Sequence, residues 1–295
     1  MGKFEDGSDL ILHLEDLKKK WNEHEFGGPF DCDLMEIVKG MEVAASAFFN
    51  GTDFLKNPDG SIAGFINWEH KKEGDGDTGE TTGEMGTLFY GCDKKNKLMS
   101  KIMGSPEIVR VLRKSKFRGV FDINGCLLDD GTFCGFEPTC RFGVPATAYE
   151  FIEGMGSNTG DLIESVASGK PYTPVIEAGW GLVQVIAAKP FPVELDVDDE
   201  ATSVGEIIWP LKDGKPVKDW MPEDRRHIHL YNAFVNKDGR YEVASKSGYI
   251  LTVTGKGKSI KETRDNLLKF VKDSLYLSGM KYRTDLGKRV EDFKV

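Results

Sequence analysis

Apolar and polar residues alternate over most of this 295-residue chain, and only a few segments take a helical period. Alternation with period two is typical of strands, whereas apolar residues three or four apart are typical of helices. Strands are predicted on both sides of Lys39-Gly40, at 61–68, 118–128 and 132–141, and in five segments after residue 177. Helices are predicted at 10–22, 105–116, 160–168 and 259–278. Strands and helices mixed in this way, with much antiparallel character, predict an α+β fold.

The last predicted helix, 259–278, has clear signals at both ends. Ser259 and Glu262 form a capping box at its start, and Gly279 ends it. Its apolar residues fall on one face and comprise Ile260, Leu267, Leu268, Val271 and Leu275. The helix is therefore predicted to be amphipathic.

The composition argues against several classes of protein. The formal net charge is −9, whereas a nucleic-acid-binding protein needs a basic face for its phosphate contacts. No apolar run approaches the ~20 residues of a membrane span, and the N-terminus is too polar for a signal peptide. The five cysteines contain no CxxC pair, so we expect reduced thiols in a cytoplasmic protein. Cys126, Cys134 and Cys140 lack the further ligand that would complete a zinc site.

The strands at 118–128 and 132–141 predict a hairpin. Asp130-Gly131 is typical of a two-residue type I′ turn. Such a turn pairs Leu128 with Phe133, Cys126 with Gly135, Asn124 with Glu137 and Asp122 with Thr139. One face then carries Asp122, Asn124, Glu137, Thr139 and Arg141, and the other carries Phe121, Ile123, Leu127, Cys134 and Phe136.

The first of these faces offers oxygen ligands with an arginine at one end. Oxygen ligands suit Mg²⁺, which proteins hold through one or two carboxylates together with substrate phosphates. Arg141 suits a phosphate or a carboxylate. The alternative is an ordinary solvent-exposed polar face, and an error of one residue in the register would disperse the set.

The segment 69–87, EHKKEGDGDTGETTGEMGT, is rich in glycine, threonine and charge and has almost no apolar residues. Glycines let backbone N–H groups approach an anion, and His70, Lys71 and Lys72 add positive charge. These features predict a phosphate-binding loop that is not of the Walker A type. A disordered acidic surface loop is the alternative.

Two smaller groups of residues have ordinary explanations beside functional ones. His227 and His229 are spaced to share a strand face. One interpretation is a metal-binding pair, and the other is a half-buried strand face beside two arginines. Trp180, Trp209 and Trp220 are predicted to lie in the core or at a domain interface.

Four segments together resemble phosphoribosylamine–glycine ligase, an ATP-grasp enzyme family. Segment 69–87 is similar to the family's DHKR…GDxDTGPNTGGMG loop, and 117–145 to its metal-binding hairpin. MEIVKGMEV at 35–43 is similar to its EEFLDGEE segment, and 247–289 to its C-terminal domain. The motifs occur in the family's order, from about residue 10 onwards.

The resemblance implies an ATP-grasp fold in three parts. Residues 1–66 would be a remnant of the ATP-grasp B lobe, 67–170 the core lobe, and 171–295 the family's C-terminal domain. The Pro- and Thr-rich stretch at 169–177 agrees with a boundary there. It also implies ATP with Mg²⁺ or Mn²⁺, and small-molecule substrates: an amino-acid carboxylate and an amine.

The resemblance assigns roles by motif position. The adenine would be held by the backbone of Glu36, Ile37 and Val38, and the ribose by Glu42. Lys71 and Arg141 would contact the phosphates, and Glu137 and Thr139 would bind the metal, assisted by Asp122 and Asn124. The acceptor side would comprise Thr82, Gly83, Met85, Gly86, Arg283 and Asp285.

The chain also departs from the family pattern. The N-terminal domain and the first half of the ATP-grasp fold are not matched, and Thr139 replaces the family's asparagine. Glu84 replaces a glycine, and Tyr249 replaces an arginine on the side that recognises phosphoribosylamine. The family's GGYP on that side is KPFP at 189–192, and Val144 and Ala146 replace two carboxylates.

Three hypotheses follow. The chain is the C-terminal part of a divergent carboxylate–amine ligase that is active when joined to an N-terminal chain or segment. Alternatively, it is an ATP-grasp ligase for a different amine, or a non-catalytic remnant that acts as a binding module.

Overall fold

A computed structural model describes residues 15, 18–19, 38–143, 147–156, 158–192 and 202–291, with side chains omitted for 147–150. The strands in chain order are β1 Met41–Asn50, β2 Gly64–Gly74, β3 Thr78–Gly91, β4 Arg118–Leu127, β5 Phe133–Thr139, β6 Gly179–Ala187, β7 Ile207–Lys212, β8 Lys215–Pro216, β9 Ile228–Leu230, β10 Ala233–Val235, β11 Tyr241–Val243, β12 Tyr249–Gly257 and β13 Leu275–Tyr276. The helices are α1 Lys97–Met103, α2 Pro106–Lys114, α3 Thr147–Gly154, α4 Thr159–Ser168, α5 Pro222–Arg225 and α6 Ile260–Ser274, followed by a 3-10 turn at Lys288–Val290. The predicted α+β class is confirmed.

An eight-stranded antiparallel sheet forms the centre of the fold. Its strand order is β5-β4-β1-β2-β3-β6-β12-β9, and a smaller sheet of β10-β11-β7-β13 stands beside it. The predicted domain boundary near residue 170 stays a prediction. The central sheet runs across it, because β6, β9 and β12 continue the sheet that β1 to β5 begin.

Helices cover the two faces of the central sheet unequally. On one face, side chains of α1, α2 and α6 join the largest apolar cluster, around Trp68, Leu88 and Leu182. On the other face, α3 and α4 pack against Phe48, Phe65 and Phe89. Phe151 of α3 makes edge-to-face contacts there, with its ring centroid 4.7 Å from that of Phe48 and 4.8 Å from that of Phe65. This second face carries polar side chains on β1, β2 and β4, described below.

Several predicted elements differ from the structure at their ends. The predicted phosphate-binding loop is a β-hairpin, because β2 continues to Gly74 and β3 begins at Thr78. The last helix ends at Ser274 rather than at 278, because Leu275 takes an extended conformation and pairs with Pro210 of β7. Trp209 is exposed at 38% beneath Arg240, so it does not lie in the core, which was one of its two predicted places. Most of the predicted helix 10–22 lies outside the described residues.

The Ser259 half of the predicted capping box on α6 is present, whereas Glu262 bonds to the residue before the N-cap, and we expect the loss of the Ser259 bond to be measurable. Ser259 Oγ accepts the backbone N–H of Glu262 at 3.2 Å, and the Glu262 carboxylate accepts the N–H of Lys258 at 3.1 Å. Ser259→Ala should lower the free energy of unfolding by about 1 kcal/mol in urea denaturation. Ser105→Ala is the matched control, because Ser105 caps α2 without a side-chain hydrogen bond. Equal effects of the two variants would contradict this account.

Candidate functional site

One end of the central sheet carries a group of polar side chains that we call the polar face. Register places Ala44 opposite both Asn67 and Asn124, and Ser46 opposite Asp122. Across the next strand pair, Asp122 lies opposite Thr139 and Asn124 opposite Glu137. Directly opposed residues share a face. The polar face comprises Glu42, Ser46, Asn67, Glu69, Lys71, Asp122, Asn124, Glu137 and Thr139.

Asp122 is the buried carboxylate of the polar face. The Ser46 hydroxyl, itself fully buried, donates to its Oδ2, and Asn67 Nδ2 donates to Ser46 Oγ at 3.3 Å. Burial raises the pKa of Asp122 from 3.8 to about 7, the Ser46 hydrogen bond opposes this shift, and the nearby charge of Glu69 adds to it. At neutral pH this carboxyl group is therefore poised between its protonated and ionised forms.

Lys71 lies between two carboxylates on the same face. Its Nζ is 3.3 Å from Glu69 Oε2 and 3.5 Å from Glu42 Oε1. Burial lowers the pKa of Lys71, but the charges of Glu69 and Glu42 outweigh this and raise it overall. The structure thus brings together two residues predicted to contact ATP, Lys71 and Glu42, while Glu69 was not predicted. Glu69 is two residues before Lys71 in a strand, and this spacing was the available signal.

The predicted hairpin pairs Asp122–Thr139 and Asn124–Glu137 are confirmed, but the predicted turn was wrong. The loop has three residues, with Leu128 N–H bonded to the Thr132 carbonyl and Gly131 in the left-handed region at φ 80°. The pairs nearest the turn are consequently Leu127–Phe133 and Cys126–Cys134.

A β-bulge explains why the pairs far from the turn match the predicted register and the pairs near the turn do not. The register shifts between Asn124 and Gly125, because Phe136 is an extra residue on β5. Phe136 is 41% exposed, so its predicted place on the core face was wrong. The predicted place of Cys134 on the core face was also wrong, because Cys134 lies opposite Cys126.

The polar face fits a magnesium ion that substrate phosphates help to hold. The described residues contain no group of three or more His, Cys, Asp or Glu side chains arranged to hold a metal alone. Of the four carboxylates on the polar face, two lie beside Lys71, and Asp122 and Glu137 remain for a cation, with Asn124 and Thr139 opposite them. Mg²⁺ bound to nucleotide phosphates typically takes one or two protein carboxylates. Glu137 is exposed on the edge strand, where a phosphate-bound cation has access to it.

Only some of the other residues predicted to bind the nucleotide lie in the described part of the chain. Arg141 is exposed just after β5, and its Nη1 donates to the carbonyl of Phe142 at 2.9 Å. Val38 is half-buried three residues before β1. Glu36 and Ile37 lie outside the described residues.

The tip of the β2–β3 hairpin is held by the C-terminal segment, residues 281–289. Arg283 donates through Nε and Nη2 to the two carboxylate oxygens of Asp285, both at 2.8 Å, and through Nη1 to Asp77 at 2.7 Å. Asp285 Oδ2 accepts the N–H of Gly76 at 2.7 Å. Burial opposes the effect, but these hydrogen bonds lower the pKa of Asp285 to about 2. The hairpin tip is thus bound by the chain's own carboxylates and arginine.

The predicted cationic cluster at 70–72 is divided by the strand. His70 is buried on the face opposite to Lys71, where its Nε2 accepts the N–H of Gly287 at 3.0 Å. Burial lowers the pKa of His70 to about 3, so it is neutral and adds no positive charge. Lys72 Nζ donates to the Gly79 carbonyl at 3.2 Å. Of the three side chains, Lys71 alone lies on the polar face.

The predicted acceptor residues of β3 pack closely against neighbouring strands. Thr82 Oγ1 donates to the Lys71 carbonyl at 2.8 Å, and Met85 is fully buried. Gly86 has φ 154°, and a Cβ there would lie 2.7 Å from the Val183 carbonyl oxygen. A Cβ on Gly83 would lie 3.0 Å from the Tyr249 hydroxyl. These contacts place the N-terminal end of β12 beside this stretch of β3.

Three departures from the family pattern meet in space. The Tyr249 hydroxyl accepts the N–H of Glu84 at 3.1 Å, and its ring lies 4.8 Å from that of Phe191 in KPFP. The Tyr231 ring lies 6.4 Å from that of Tyr249. The buried Glu84 carboxylate accepts the Thr87 hydroxyl. We call Glu84, Phe191, Tyr231 and Tyr249 the aromatic cluster. All of these except Tyr231 belong to the departures noted in the sequence, but their contact with one another was not predicted.

The two histidines predicted as a metal pair belong to a hydrogen-bond network at the other end of the sheet. His227 Nδ1 is 2.9 Å from Glu153 Oε2, and Thr254 Oγ1 donates to the same oxygen at 2.6 Å. His229 Nε2 lies 3.3 Å from Thr254 Oγ1. Burial lowers the pKa of His229 to about 4. Both histidines are half-buried, as the alternative to a metal site predicted, and His227, Glu153 and Thr254 border a cavity of about 610 Å³.

Comparison with known proteins gives a consistent relationship. A phosphoribosylamine–glycine ligase of Lactococcus lactis is 27% identical over 288 residues, covering 96% of this chain and 63% of that protein. The crystal structure of phosphoribosylamine–glycine ligase from Thermotoga maritima matches 85% of this chain and 56% of its own, with TM-score 0.59 and 22% identity. A Campylobacter jejuni biotin carboxylase–ATP complex matches 94% of this chain and 55% of its own, with TM-score 0.54 and 12% identity. No family model matches the chain.

These matches confirm the predicted resemblance and the ATP-grasp fold. The chain spans about three fifths of the length of the relatives that it matches. No helix among the described residues is long and apolar enough to cross a membrane.

Proposed function

We propose that this chain carries the nucleotide and acceptor sides of an ATP-dependent carboxylate–amine ligase that resembles phosphoribosylamine–glycine ligase. The observation that supports this most is the polar face. Its β4–β5 pairs were predicted from the hairpin pattern, and the same residues match the family's metal-binding motif. Lys71 and Glu42, predicted from separate motifs, lie within 3.5 Å of each other on that face.

The proposed reaction has two steps. A carboxylate oxygen of the amino acid attacks the γ-phosphorus of ATP, and ADP leaves as an acyl phosphate forms. The amine nitrogen then attacks the acyl carbon, the bond from that carbon to the phosphate oxygen breaks, and the nitrogen loses a proton. Such transfers depend on positioning and on positive charge near the phosphates, and they need no covalent nucleophile on the protein.

Each predicted residue has a task in this proposal. Lys71 and Arg141 would neutralise phosphate charge, and Glu137 and Thr139, with Asp122 and Asn124, would hold Mg²⁺ or Mn²⁺. That cation neutralises phosphate charge when it is bound. Backbone groups of Glu36, Ile37 and Val38 would hold the adenine, and Glu42 the ribose. Thr82, Gly83, Met85 and Gly86 would line the acceptor side, where Arg283 and Asp285 position the hairpin through the contacts described above.

We further propose that the full reaction needs the part of the relatives that this chain does not match, supplied by an N-terminal chain or segment. Glycine-dependent positional isotope exchange in ATP detects the first step and does not require the acceptor amine. We expect exchange when the chain is combined with the N-terminal part of the L. lactis relative, and none with Glu137→Ala in the same mixture. Mg·ATP binding without exchange in the combined sample would favour a binding module instead.

The aromatic cluster supports a second candidate: a ligase of the same chemistry that takes an amine without a phosphate group. Glu84 and Tyr249 put a carboxylate and a neutral phenol where the resemblance implies glycine and arginine. Two nearby cations are already paired, Lys281 with Glu73 at 2.7 Å and Arg283 with Asp285 and Asp77. Segment 69–87 carries six carboxylates against two lysines. This potential repels an anionic acceptor and favours a cationic one.

Ribose 5-phosphate is a stable probe for this second candidate. We expect the parent chain to show no thermal stabilisation by millimolar ribose 5-phosphate, because the four residues of the aromatic cluster include a carboxylate and no cation. Tyr249→Arg combined with Glu84→Gly is expected to bind it at least tenfold more tightly. Tyr276→Arg, at a tyrosine that is 52% exposed on β13, makes the same Tyr-to-Arg change away from the cluster and serves as the control for that substitution. Stabilisation of the parent would favour phosphoribosylamine as the acceptor.

A further inference from the structure

Two cysteines face each other across the hairpin that carries the proposed metal ligands. Cys126 of β4 and Cys134 of β5 are directly opposed residues of an antiparallel pair. The predicted register kept them apart by placing Cys126 opposite Gly135. The bulge at Phe136 and the three-residue turn move β5 by one position and bring the thiols to the same side of the hairpin.

The spacing of this pair suits a disulfide. Opposed residues in an antiparallel sheet have Cα atoms roughly 4.5–5.5 Å apart, and disulfides span Cα separations of roughly 4.4–6.8 Å. Their Cβ atoms lie roughly 4.5–5.5 Å apart before a bond forms, and a disulfide needs roughly 3.5–4.5 Å. A small approach of an edge strand therefore closes the bond. β5 is that edge strand, with one hydrogen-bonded neighbour among the described strands.

The two thiols differ in access, which gives the pair an order of reaction. Cys134 is half-buried, whereas Cys126 is only 4% exposed and its Sγ lies against Gly40. An external reagent therefore meets Cys134 first. The other described cysteines are not opposed to a cysteine on a neighbouring strand: Cys92 is fully buried just after β3, and Cys140 follows β5.

We propose that Cys126 and Cys134 are a dithiol site that forms an intrachain disulfide by exchange with a small-molecule disulfide such as oxidised glutathione. The Cys134 thiolate attacks one sulfur of oxidised glutathione, a mixed disulfide forms, and one reduced glutathione leaves. The Cys126 thiolate then attacks Sγ of Cys134, and the second reduced glutathione leaves. Two protein thiols are oxidised, one glutathione disulfide is reduced, and the two thiol protons pass to the released glutathione thiolates.

The position of the bond links this site to the rest of the hairpin. Asn124 is two residues before Cys126, and Glu137 is three residues after Cys134 with the bulge between them. A disulfide here joins the edge strand to the sheet beside the proposed metal ligands. A reductant returns the strand pair to its dithiol form.

The test is mass spectrometry of the native chain after incubation with oxidised glutathione and an acid quench. Trypsin releases a single peptide, 119–141, that contains Cys126, Cys134 and Cys140. Cys140→Ser is therefore the background in which two cysteines of this peptide remain. In it we expect the peptide to lose two hydrogens, to carry no glutathione and to recover both hydrogens on reduction. Adding Cys126→Ser should leave one glutathione trapped on Cys134.

The contrary results are equally specific. A stable glutathione adduct on Cys134 while Cys126 is present would overturn the proposal, because the second thiol would then not reach the first. An unreactive Cys134 in the parent, under conditions that modify the exposed Cys140, would overturn it as well. Both measurements are independent of nucleotide binding and of ligase activity.

Discussion

Replacing Arg283 with methionine is expected to lower the free energy of unfolding by about 3 kcal/mol. Arg283 is 2% exposed, and it makes a two-pronged ion pair with Asp285 and a further bond to Asp77. Its Nη1 also donates to the Lys72 carbonyl at 3.2 Å. Methionine keeps much of the volume but leaves a largely buried carboxylate and a backbone carbonyl without their donor.

Chemical denaturation of the parent and the variant measures this loss. Arg225→Met is the matched control, because the Arg225–Asp219 pair at 3.1 Å has both side chains about half exposed. Exposed pairs contribute about 1 kcal/mol or less. If Arg283→Met cost no more than Arg225→Met, the C-terminal segment would not hold the hairpin, and a direct substrate contact would become the better explanation of this motif.

Asp122 is expected to make the protein less stable as pH rises from about 4 to about 7. Its pKa is 3.8 in an unfolded chain and about 7 when folded. Between these values the folded state holds a proton that the unfolded state has lost, so a rise in pH favours unfolding. A shift of about three pKa units corresponds to about 4 kcal/mol at full effect. The stabilising effect is complete below pH 3.8 and lost above about pH 7.

Asp122→Asn isolates this effect, because the amide cannot titrate and its oxygen still accepts the Ser46 hydroxyl. We expect the difference in unfolding free energy between parent and variant to change by about 4 kcal/mol from about pH 4 to pH 8, in metal-free buffer. Parallel pH profiles of the two proteins would show that Asp122 ionises normally. A parent that gained stability relative to the variant as pH rose would reverse the sign and contradict the account.

Period-two patterning correctly predicted two residue pairs of the hairpin that carries the proposed metal ligands. Asp122–Thr139 and Asn124–Glu137 were correct even though the turn was assigned wrongly. The assumed turn was one residue too short, and the bulge at Phe136 compensated for it. A bulge adds one residue to a single strand and shifts its alternation by one position, and the local sequence pattern did not show where this shift falls. The same feature hid the opposition of Cys126 and Cys134.

Contacts between distant segments were beyond the reach of local patterns. Gly-rich composition at 69–87 suggested a loop. The tip of this segment is instead held by hydrogen bonds with Arg283 and Asp285, which lie more than 200 residues later in the chain. The end of α6 was missed for a similar reason, since Leu275 leaves the helix to pair with Pro210. The Ser259 half of the capping box, whose partners are local, was predicted correctly.

The central claim is that the polar face binds Mg·ATP through the hairpin that carries Glu137. Isothermal titration of Mg·ATP into the parent chain, Glu137→Ala and Glu107→Ala tests it most directly. Glu107 is an exposed glutamate in the first turn of α2 and controls for loss of one negative charge. We predict saturable binding to the parent and to Glu107→Ala, and at least tenfold weaker binding to Glu137→Ala, a difference of about 1.4 kcal/mol. Equal affinities for all three proteins, or no binding to a cooperatively folded parent, would contradict the account.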